Sequence, residues 1–544
     1  MISPSAIHRL LQQGQLSQKG GEAKIASDPQ TPSAHLIGIC GSGMQALAEL
    51  LSGLGYRVTG SDLQPLSENL ALLQARGLRV HQGHNRDFVP GEVDMVVYSP
   101  AVQADNPERA LARELGIPQF SYSEMLGRLM ADQVGVSIAG THGKSTTTAM
   151  TASILDLAGR DPSAILGAEV LSRQSGGWSG SGNLFVVESC EYKQSFLDLS
   201  PQHAAILGIE PDHFDCYPNV EQAVDAFRQF AQKLPADGSL VVRGDCRNTM
   251  AACQDVAANV ETFSLVPGMD WWAADIRRSW SGTRFRVFYK GDFFAEILLQ
   301  VPGEHNVLNA LAATALCAGL GLTAAEIREG LGEFRGIARR FEEIGSWRGV
   351  TLVDDYAHHP TAVAATLQAA REEFGDRRIW CAFQPHQISR TQILMQEFSE
   401  SFSKADRVLI TPIYAAREGT ATESTDVARE LSDRIARQHS QTRFCGSLDQ
   451  TIATIEDEAQ PGDVLITMGA GDINQVHHAF TRRLQRNHTP RRAAGAPHVF
   501  ETGGTGSVLR DTEDPRRIAT GHTGLSRERD AVPHPGRRLQ SAHR

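Results

Sequence analysis

The sequence has no apolar run approaching the roughly 18 residues that a membrane-spanning helix requires, so no span is expected. Its first 33 residues are polar and hold no apolar signal-peptide core. None of its eight cysteines stands in a C-x-x-C pair, which removes the usual zinc and redox motifs. Cys40, Cys317 and Cys381 sit in apolar runs and are expected to pack as small hydrophobes. A reduced, cytoplasmic setting is the expectation. Basic residues are in deficit: Lys and Arg number 52 against 63 Asp and Glu, a net charge of −11, which argues against a nucleic-acid partner. Anionic small ligands are not excluded, because glycine loops make local positive sites. There is no internal repeat. What is present is a chain of 544 residues, 41% apolar and 21% charged, in the range of soluble globular proteins and long enough for about three or four domains.

The most informative segment is Ile138-Ala-Gly-Thr-His-Gly-Lys-Ser-Thr-Thr-Thr148. A β-prone run, Val134 to Ile138, feeds a glycine turn, and Thr146 to Leu157 reads as a helix. Strand, glycine loop and helix start are the parts of a phosphate cradle: backbone N–H groups converge on an anion and the helix dipole assists. Lys144 would reach terminal phosphates and the hydroxyl of Ser145 or Thr146 would face Mg²⁺. The strict pattern G-x-x-x-x-G-K-[ST] would put glycine at 138, where Ile138 stands, so a plain strand-to-helix turn is the competing reading.

Residues 1–33 read as a disordered tail. From Ala34 a strand runs into a glycine turn, followed by a helical stretch, Gln45 to Gly53, and strands at Tyr56 to Asp62 and Asp94 to Ser99. Alternation of strands and helices implies a parallel sheet, and gives a first unit over 34–131. The pattern restarts at Asp132 for a second unit, 132–335, with strands at Leu184 to Glu188 and Ala204 to Ile209 and an alanine-rich helix at Val307 to Leu320. A third unit, 336–485, has strands near Gly349 to Asp354, Arg378 to Phe383, Arg407 to Thr411 and Asp463 to Met468. Beyond it, 486–544 is rich in Arg, Pro, Gly, Thr and Ser and reads as a second disordered tail.

Several strand ends carry polar sets. Gly38-Ile-Cys-Gly41-Ser42-Gly43 has the spacing G-x-x-G-x-G, and Asp62 ends the next strand about twenty residues on, where an acid would meet a ribose. It serves a nucleotide pyrophosphate or only packs helix on strand. Glu188, in Val186-Val-Glu-Ser-Cys-Glu191, closes a hydrophobic strand downstream of the phosphate loop, where a carboxylate binds Mg²⁺ or faces solvent. Glu210-Pro-Asp-His213 ends another strand. His305, Asn306 and Asn309 open the alanine-rich helix, the two asparagines on one face. Arg339-Arg340-Phe341 precedes Asp354-Asp-Tyr356-Ala-His358-His-Pro-Thr361, a dense polar set at a strand C-terminus, where open α/β sheets bind ligands. Phe383-Gln-Pro-His-Gln387-Ile-Ser-Arg390 follows a further strand, and Arg390 could fork onto a carboxylate.

In this order the segments resemble the Mur ligase family of bacterial cell-wall synthesis over about residues 35–480. Gly140-Thr-His-Gly-Lys-Ser, Pro302-Gly-Glu-His-Asn-Val-Leu-Asn-Ala and Asp354-Asp-Tyr-Ala-His-His-Pro-Thr are the most specific parts. The resemblance implies an α/β chain of three domains: an N-terminal Rossmann-like unit for a UDP-sugar, a central P-loop ATPase-like sheet, and a C-terminal Rossmann-like unit for an amino acid. It implies ATP and Mg²⁺ as cofactors and joining of L-alanine to the carboxylate of UDP-N-acetylmuramate through an acyl phosphate. Position by position, it sets Gly41, Ser42, Gly43 and Asp62 by the UDP. Gly140, Thr141, His142, Gly143, Lys144, Ser145 and Thr146 take the ATP phosphates, and Ser145, Glu188 and His213 take Mg²⁺. His305, Asn306 and Asn309 face adenine, with Arg340 and Asp354 on the ribose side. Tyr356, His358 and Arg390 hold the amino acid and the muramoyl carboxylate. Lys144, Glu188, His213, His358 and Arg390 form the catalytic set, with His358 a candidate base. Ser145 stands where threonine is usual in the family, and Gln387 where some relatives have arginine.

Two alternatives accompany this reading: a relative that joins UDP-N-acetylmuramate to a recycled peptide, and a nucleotide-binding regulator without chemistry. A dehydrogenase is disfavoured by the glycine spacing, and a folylpolyglutamate synthase by the Rossmann-like opening. No nucleic acid or membrane partner is expected, and the chain is expected to be a monomer or weak homo-oligomer with hinges near Asp132 and Gly336.

Overall fold

A computed structural model of the protein describes residues 31–63, 73–279, 281–415 and 418–487. The tails expected at 1–33 and 486–544 lie outside the described residues except at their inner ends. There Ser33 already opens a strand, because its N–H and its hydroxyl both donate to Asp94 Oδ2 at 2.7 Å. Among the described residues no helix is long and apolar enough to cross a membrane.

Among the described residues the fold is α/β and holds three sheets. The first contains β1 (Ser33–Ile37), β2 (Arg57–Asp62), β3 (Arg79–Gln82), β4 (Met95–Tyr98) and β5 (Gln119–Ser121), in the order β3-β2-β1-β4-β5, all parallel. Helix α1 (Ser42–Gly53) leaves the glycine turn after β1. Leu36, Ile37, Val96 and Val97 are fully buried, as expected of parallel strands covered on both faces.

The second sheet is built around β6 (Val134–Ala139), flanked by β7 (Ser163–Val170), β8 (Ser175–Trp178) and β9 (Leu184–Glu188) on one side. On the other side lie β10 (His203–Ile206), β11 (Ser239–Arg243), β12 (Asn259–Ser264), β13 (Trp271–Ser279), β14 (Gly282–Tyr289) and β15 (Asp292–Leu299). Helix α2 (Lys144–Leu157) follows β6 and packs on α3 (Glu304–Gly319). Its run of threonines is a poor helix former in isolation. Burial of Thr147, Thr148, Ala149, Thr151 and Ala152 against the sheet and α3 decides the matter. α1 rests on β7 and β8 so closely that a Cβ on Gly177 would lie 2.0 Å from the Ala46 carbonyl oxygen. The N-terminal and central sheets therefore share a packed core, in which Ile165, Phe185 and Val187 meet Leu47 and Leu51.

Both edges of this sheet depart from the expectation of a purely parallel arrangement, and at one of them β8 pairs antiparallel with β7. At the other, β13, β14 and β15 run antiparallel to one another. The physical reason lies in the alternation Thr283, Arg284, Phe285, Arg286, Val287, whose even positions are exposed and odd ones buried. A strand wet on one face suits an antiparallel extension.

The third sheet has β16 (Glu342–Trp347), β17 (Val350–Asp355), β18 (Ile379–Phe383), β19 (Arg407–Ile410), β20 (Thr442–Phe444) and β21 (Val464–Met468). Its order is β16-β17-β21-β18-β19-β20, parallel except for β16. Helices α4 (Pro360–Phe374) and α5 (Ile388–Ile393) begin just beyond β17 and β18. Cys40, Cys317 and Cys381 are buried among apolar side chains, as their sequence context predicts.

Candidate active site

The turn after β6 needs its glycines. Gly140 has φ 136° and Gly143 φ 82°, values that favour glycine. A Cβ on Gly140 would lie 2.9 Å from Leu207 N, and one on Gly143 2.3 Å from Asn309 Oδ1. The turn passes directly into α2, whose first-turn N–H groups receive no side-chain cap. Helices α1, α3, α4 and α5 also start without one. Helices such as Val220–Ala231, Ala324–Glu333 and Leu448–Glu458 are instead capped by Asn219, Thr323 and Ser447. An uncapped helix start leaves donors for an anion.

Parallel register brings the acids to this turn. β9 lies beside β6 with Ile138 opposite Glu188. Ser145 Oγ donates to Glu188 Oε1 at 2.8 Å, and the Gly167 N–H to Oε2 at 2.6 Å. Lys144 Nζ donates to the carbonyls of Gly140 (2.6 Å) and Thr141 (3.2 Å) and pairs with Glu191 at 2.9–3.0 Å. Burial works against both charges of this pair. The facing Glu191 nevertheless holds the Lys144 pKa above its ordinary value, and Lys144 with His213 holds Glu191 below the usual carboxylate range. His213, in the left-handed region at φ 52°, places Nε2 3.5 Å from Glu191 Oε1.

The C-terminal sheet meets this site with the carboxyl ends of β17 and β18. Arg390 is 2% exposed; its Nε and its Nη2 both reach Asp212 Oδ1, at 2.8 and 2.7 Å, and Nη1 lies 3.1 Å from His386 Nδ1. The carboxylate that Arg390 holds is thus the protein's own, supplied by the central sheet. His358 Nδ1 lies 2.8 Å from the Tyr356 carbonyl oxygen, so that nitrogen donates and Nε2 keeps the lone pair. Burial, reinforced by the Arg390 charge, lowers the His358 pKa well below the ordinary value and that of His386 to about 4. Gln387 takes φ 68° at the start of α5, strained backbone of the kind that gathers at functional sites.

These groups line one cavity of about 500 Å³. Of the residues singled out in the sequence, Thr141, His142, Gly143, Lys144, Ser145 and Thr146 line it beside Glu188 and His213. His305, Asn306 and Asn309 enter from α3, while Arg340, Tyr356, His358 and Arg390 come from beyond Gly336. Asn309 donates to Asn306 Oδ1 at 3.1 Å, and Asn306 to the Pro302 carbonyl at 2.6 Å. The Arg340 guanidinium stands 5.0 Å from the Tyr356 ring centre. Burial and the Arg340 charge lower His305 to about 4.

Asp354 does not line the cavity. It is buried inside the third sheet, where it accepts from Arg339 Nε at 3.1 Å and Thr467 Oγ1 at 2.7 Å. Its neighbour Asp355 reaches the wall instead, because successive strand residues point to opposite faces. Gly41, Ser42 and Gly43, at the start of α1, and Asp62, at the end of β2, are not among the residues lining this cavity. Asp62 Oδ2 accepts the Cys40 N–H at 2.8 Å, so the carboxylate braces the turn itself.

Glu210, Asp212 and His359 also line the cavity, and Glu191 joins it through its ion pair with Lys144, though the motifs in the sequence assign them no role. Each stands within three residues of a chosen one, and the signal was partnership: a buried lysine and arginine each need a nearby acid. As a metal site, Ser145, Glu188 and Glu191 offer hard oxygen donors suited to Mg²⁺. Glu191 Oε2 is buried and has no hydrogen bond beyond its ion pair with Lys144. The residues present fit such an ion, with His213 beside them.

A phosphate loop on one α/β sheet, closed over by the strand ends of another, defines a multidomain nucleotide-binding enzyme. The Mur ligase family catalytic domain matches residues 33–134, the Mur ligase middle domain 138–317 and the Mur ligase glutamate ligase domain 339–471. Over 450 residues the chain is 39% identical to the UDP-N-acetylmuramate–L-alanine ligase of Caldanaerobacter subterraneus subsp. tengcongensis, covering 82% of this chain and 96% of that one. The crystal structure of UDP-N-acetylmuramate–alanine ligase from Thermotoga maritima superposes with a TM-score of 0.70 at 28% identity, covering 84% and 99% of the two chains. A murein peptide ligase from Psychrobacter arcticus superposes with a TM-score of 0.65 at 25% identity, covering 83% and 98%. The chain belongs to the Mur ligase family.

Proposed function

We propose that this protein uses ATP to join L-alanine to the carboxylate of UDP-N-acetylmuramate, a step of peptidoglycan precursor synthesis, in the cytoplasm. The names of its 39–40% identical relatives support the reaction. The observation that carries it is the shared cavity: Lys144, Ser145 and Glu188 from the central sheet face His358 and Arg390 from the C-terminal sheet. A phosphoryl donor and an amine acceptor can thus meet at one carboxylate. In this reading 34–131 takes the UDP-sugar on the turn at Gly41, Ser42 and Gly43, 132–335 takes ATP, and 336–485 takes the amino acid.

A carboxylate does not react with an amine at neutral pH, because oxide would have to leave. Phosphorylation by ATP gives an acyl phosphate and ADP; the amine attacks the acyl carbon, and the tetrahedral intermediate expels phosphate. Both steps build negative charge on oxygen, so positioning and electrostatics dominate. Lys144 and the uncapped start of α2 meet that charge on the phosphoryl oxygens. Bound at Ser145, Glu188 and His213, Mg²⁺ would add positive charge there. His305, Asn306 and Asn309 flank the base and Arg340 the ribose. His358, neutral and with Nε2 as acceptor, takes the proton that the ammonium of L-alanine must lose. Arg390, fixed by Asp212, orients His358 and Tyr356 around the amino acid.

The test is Mg²⁺- and ATP-dependent phosphate release with UDP-N-acetylmuramate, comparing L-alanine with L-Ala-D-Glu-meso-diaminopimelate as acceptor. Release with L-alanine is the expected result. Release only with the tripeptide would replace the proposal by the recycling reaction, and release with neither would favour a binding protein without chemistry.

A further inference from the structure

Among the described residues, one group of three potential metal-binding side chains comes together: His142, Glu210 and His359. Their ligand atoms all lie within 4.8 Å of one another. His142 belongs to the phosphate loop, Glu210 to the segment after β10, and His359 to the residue preceding α4 on the third sheet. His142 Nε2 is 3.4 Å from Glu210 Oε2, and His359 Nδ1 is 3.9 Å from the same oxygen.

Both imidazole nitrogens are buried and make no hydrogen bond. A buried polar atom without a hydrogen bond is costly, so two of them standing 3.4 and 3.9 Å from one carboxylate oxygen call for an explanation. His359 is 5% exposed, and its other nitrogen, Nε2, lies 3.3 Å from the Pro211 carbonyl oxygen. That contact places the proton on Nε2 and leaves the lone pair on Nδ1, facing Glu210. Thr361 Oγ1 donates to Glu210 Oε2 at 2.7 Å and orients the carboxylate. A carbonyl behind a histidine and a hydroxyl behind a carboxylate are the supports that metal ligands use.

We propose that His142 Nε2, Glu210 Oε2 and His359 Nδ1 form a site for a borderline divalent transition-metal ion such as Zn²⁺, distinct from the Mg²⁺ position and bridging the central and C-terminal sheets. Two imidazoles and one carboxylate select Zn²⁺ or Co²⁺ over Mg²⁺, which prefers oxygen. Ligands at about 2.0–2.1 Å from a tetrahedral ion stand about 3.3 Å apart, so the 3.4 Å pair already fits, the 3.9 Å pair must close by about 0.6 Å, and no pair by more than about 1.5 Å. His359 suits this as a neutral ligand, since burial and the neighbouring His142 lower its pKa to about 4. An ion held here would tie the phosphate loop to the C-terminal sheet and slow their separation during turnover.

The test titrates Co²⁺ into the full chain, stripped of metal and kept in excess Mg²⁺, and reads the visible absorption of the ion. Bands that saturate at one Co²⁺ per chain, are displaced by Zn²⁺, and persist in His213→Ala are expected. They should be lost, or their midpoint raised about tenfold or more, in His359→Ala and Glu210→Gln. His142→Asn gives the same readout if His359→Ala fails to fold. Bands that survive in these variants, that vanish in His213→Ala, or that carry thiolate charge-transfer intensity would overturn the proposal.

Discussion

The glycine turn after β1 and the one after β6 follow the same plan, a buried parallel strand, a glycine in the left-handed region and a helix start without a side-chain cap. Their surroundings differ. After β6, the ends of the neighbouring strands β9 and β10 and the segments just beyond them hold Glu188, Glu191 and Glu210 to His213, and a second sheet closes over this side. After β1, the nearest acid, Asp62, is turned onto the Cys40 N–H. The comparison teaches that a glycine turn supplies anion-binding donors, whereas the charges that make chemistry come from the ends of adjacent strands. In the proposed function the N-terminal turn holds a ligand and the central one reacts with it.

The largest expected effect is at the central turn. Lys144→Ala should cost about 10³-fold or more in the rate of phosphate release, since it removes the cation facing the developing charge. Circular dichroism should show the fold retained; near-normal turnover would break the comparison. Gly143→Ala should come next. Its Cβ would press on Asn309 Oδ1 and force alanine to φ 82°, a strain of about 1–3 kcal/mol. Weakened ATP binding, read by calorimetry, is the expected result.

Arg390→Ala should raise the KM for the amino acid and also strand Asp212, buried and charged. Loss of one partner of a buried pair costs about 3–5 kcal/mol, visible in denaturant melts. An unchanged KM would move the amino-acid role elsewhere. At the N-terminal turn, Asp62→Ala should raise the KM for the UDP-sugar with kcat nearly intact, because it loosens a binding turn only. A collapse of kcat there would erase the contrast between the two turns.

The smallest effect is in pH. A base works unprotonated, and burial with the Arg390 charge lowers the His358 pKa. The rate should therefore not fall, on account of His358, as pH drops through about 6.5, histidine's ordinary value. Arg390→Gln removes the charge, raises the His358 pKa, and should move the acid limb of the kcat profile upward.

Much of this was legible in the sequence because local chemistry wrote it. The Gly140-to-Thr146 loop, the strand ending at Glu188 and the polar run from Asp354 to Thr361 each announce a strand end with a task. What escaped was what depends on partners distant in sequence. Asp354 and Asp355 look equivalent in one dimension; only the alternation of strand faces, and Arg339 waiting on one side, sends the first inward and the second to the cavity. Arg390 reads as a hand for a substrate carboxylate, yet Asp212, 178 positions away, already fills it. The antiparallel strands from Trp271 to Leu299 were written in the alternation of Arg284 to Val287, a period-2 pattern that the expectation of a parallel sheet passed over.

The central claim is that the cavity activates a carboxylate by phosphorylation before the amine attacks. It is tested most directly with UDP-N-acetylmuramate carrying ¹⁸O in its carboxylate, turned over with ATP and L-alanine. Mass spectrometry of the released phosphate should find one labelled oxygen transferred from the carboxylate in each turnover. Phosphate without label, formed alongside the amide product, would contradict the account.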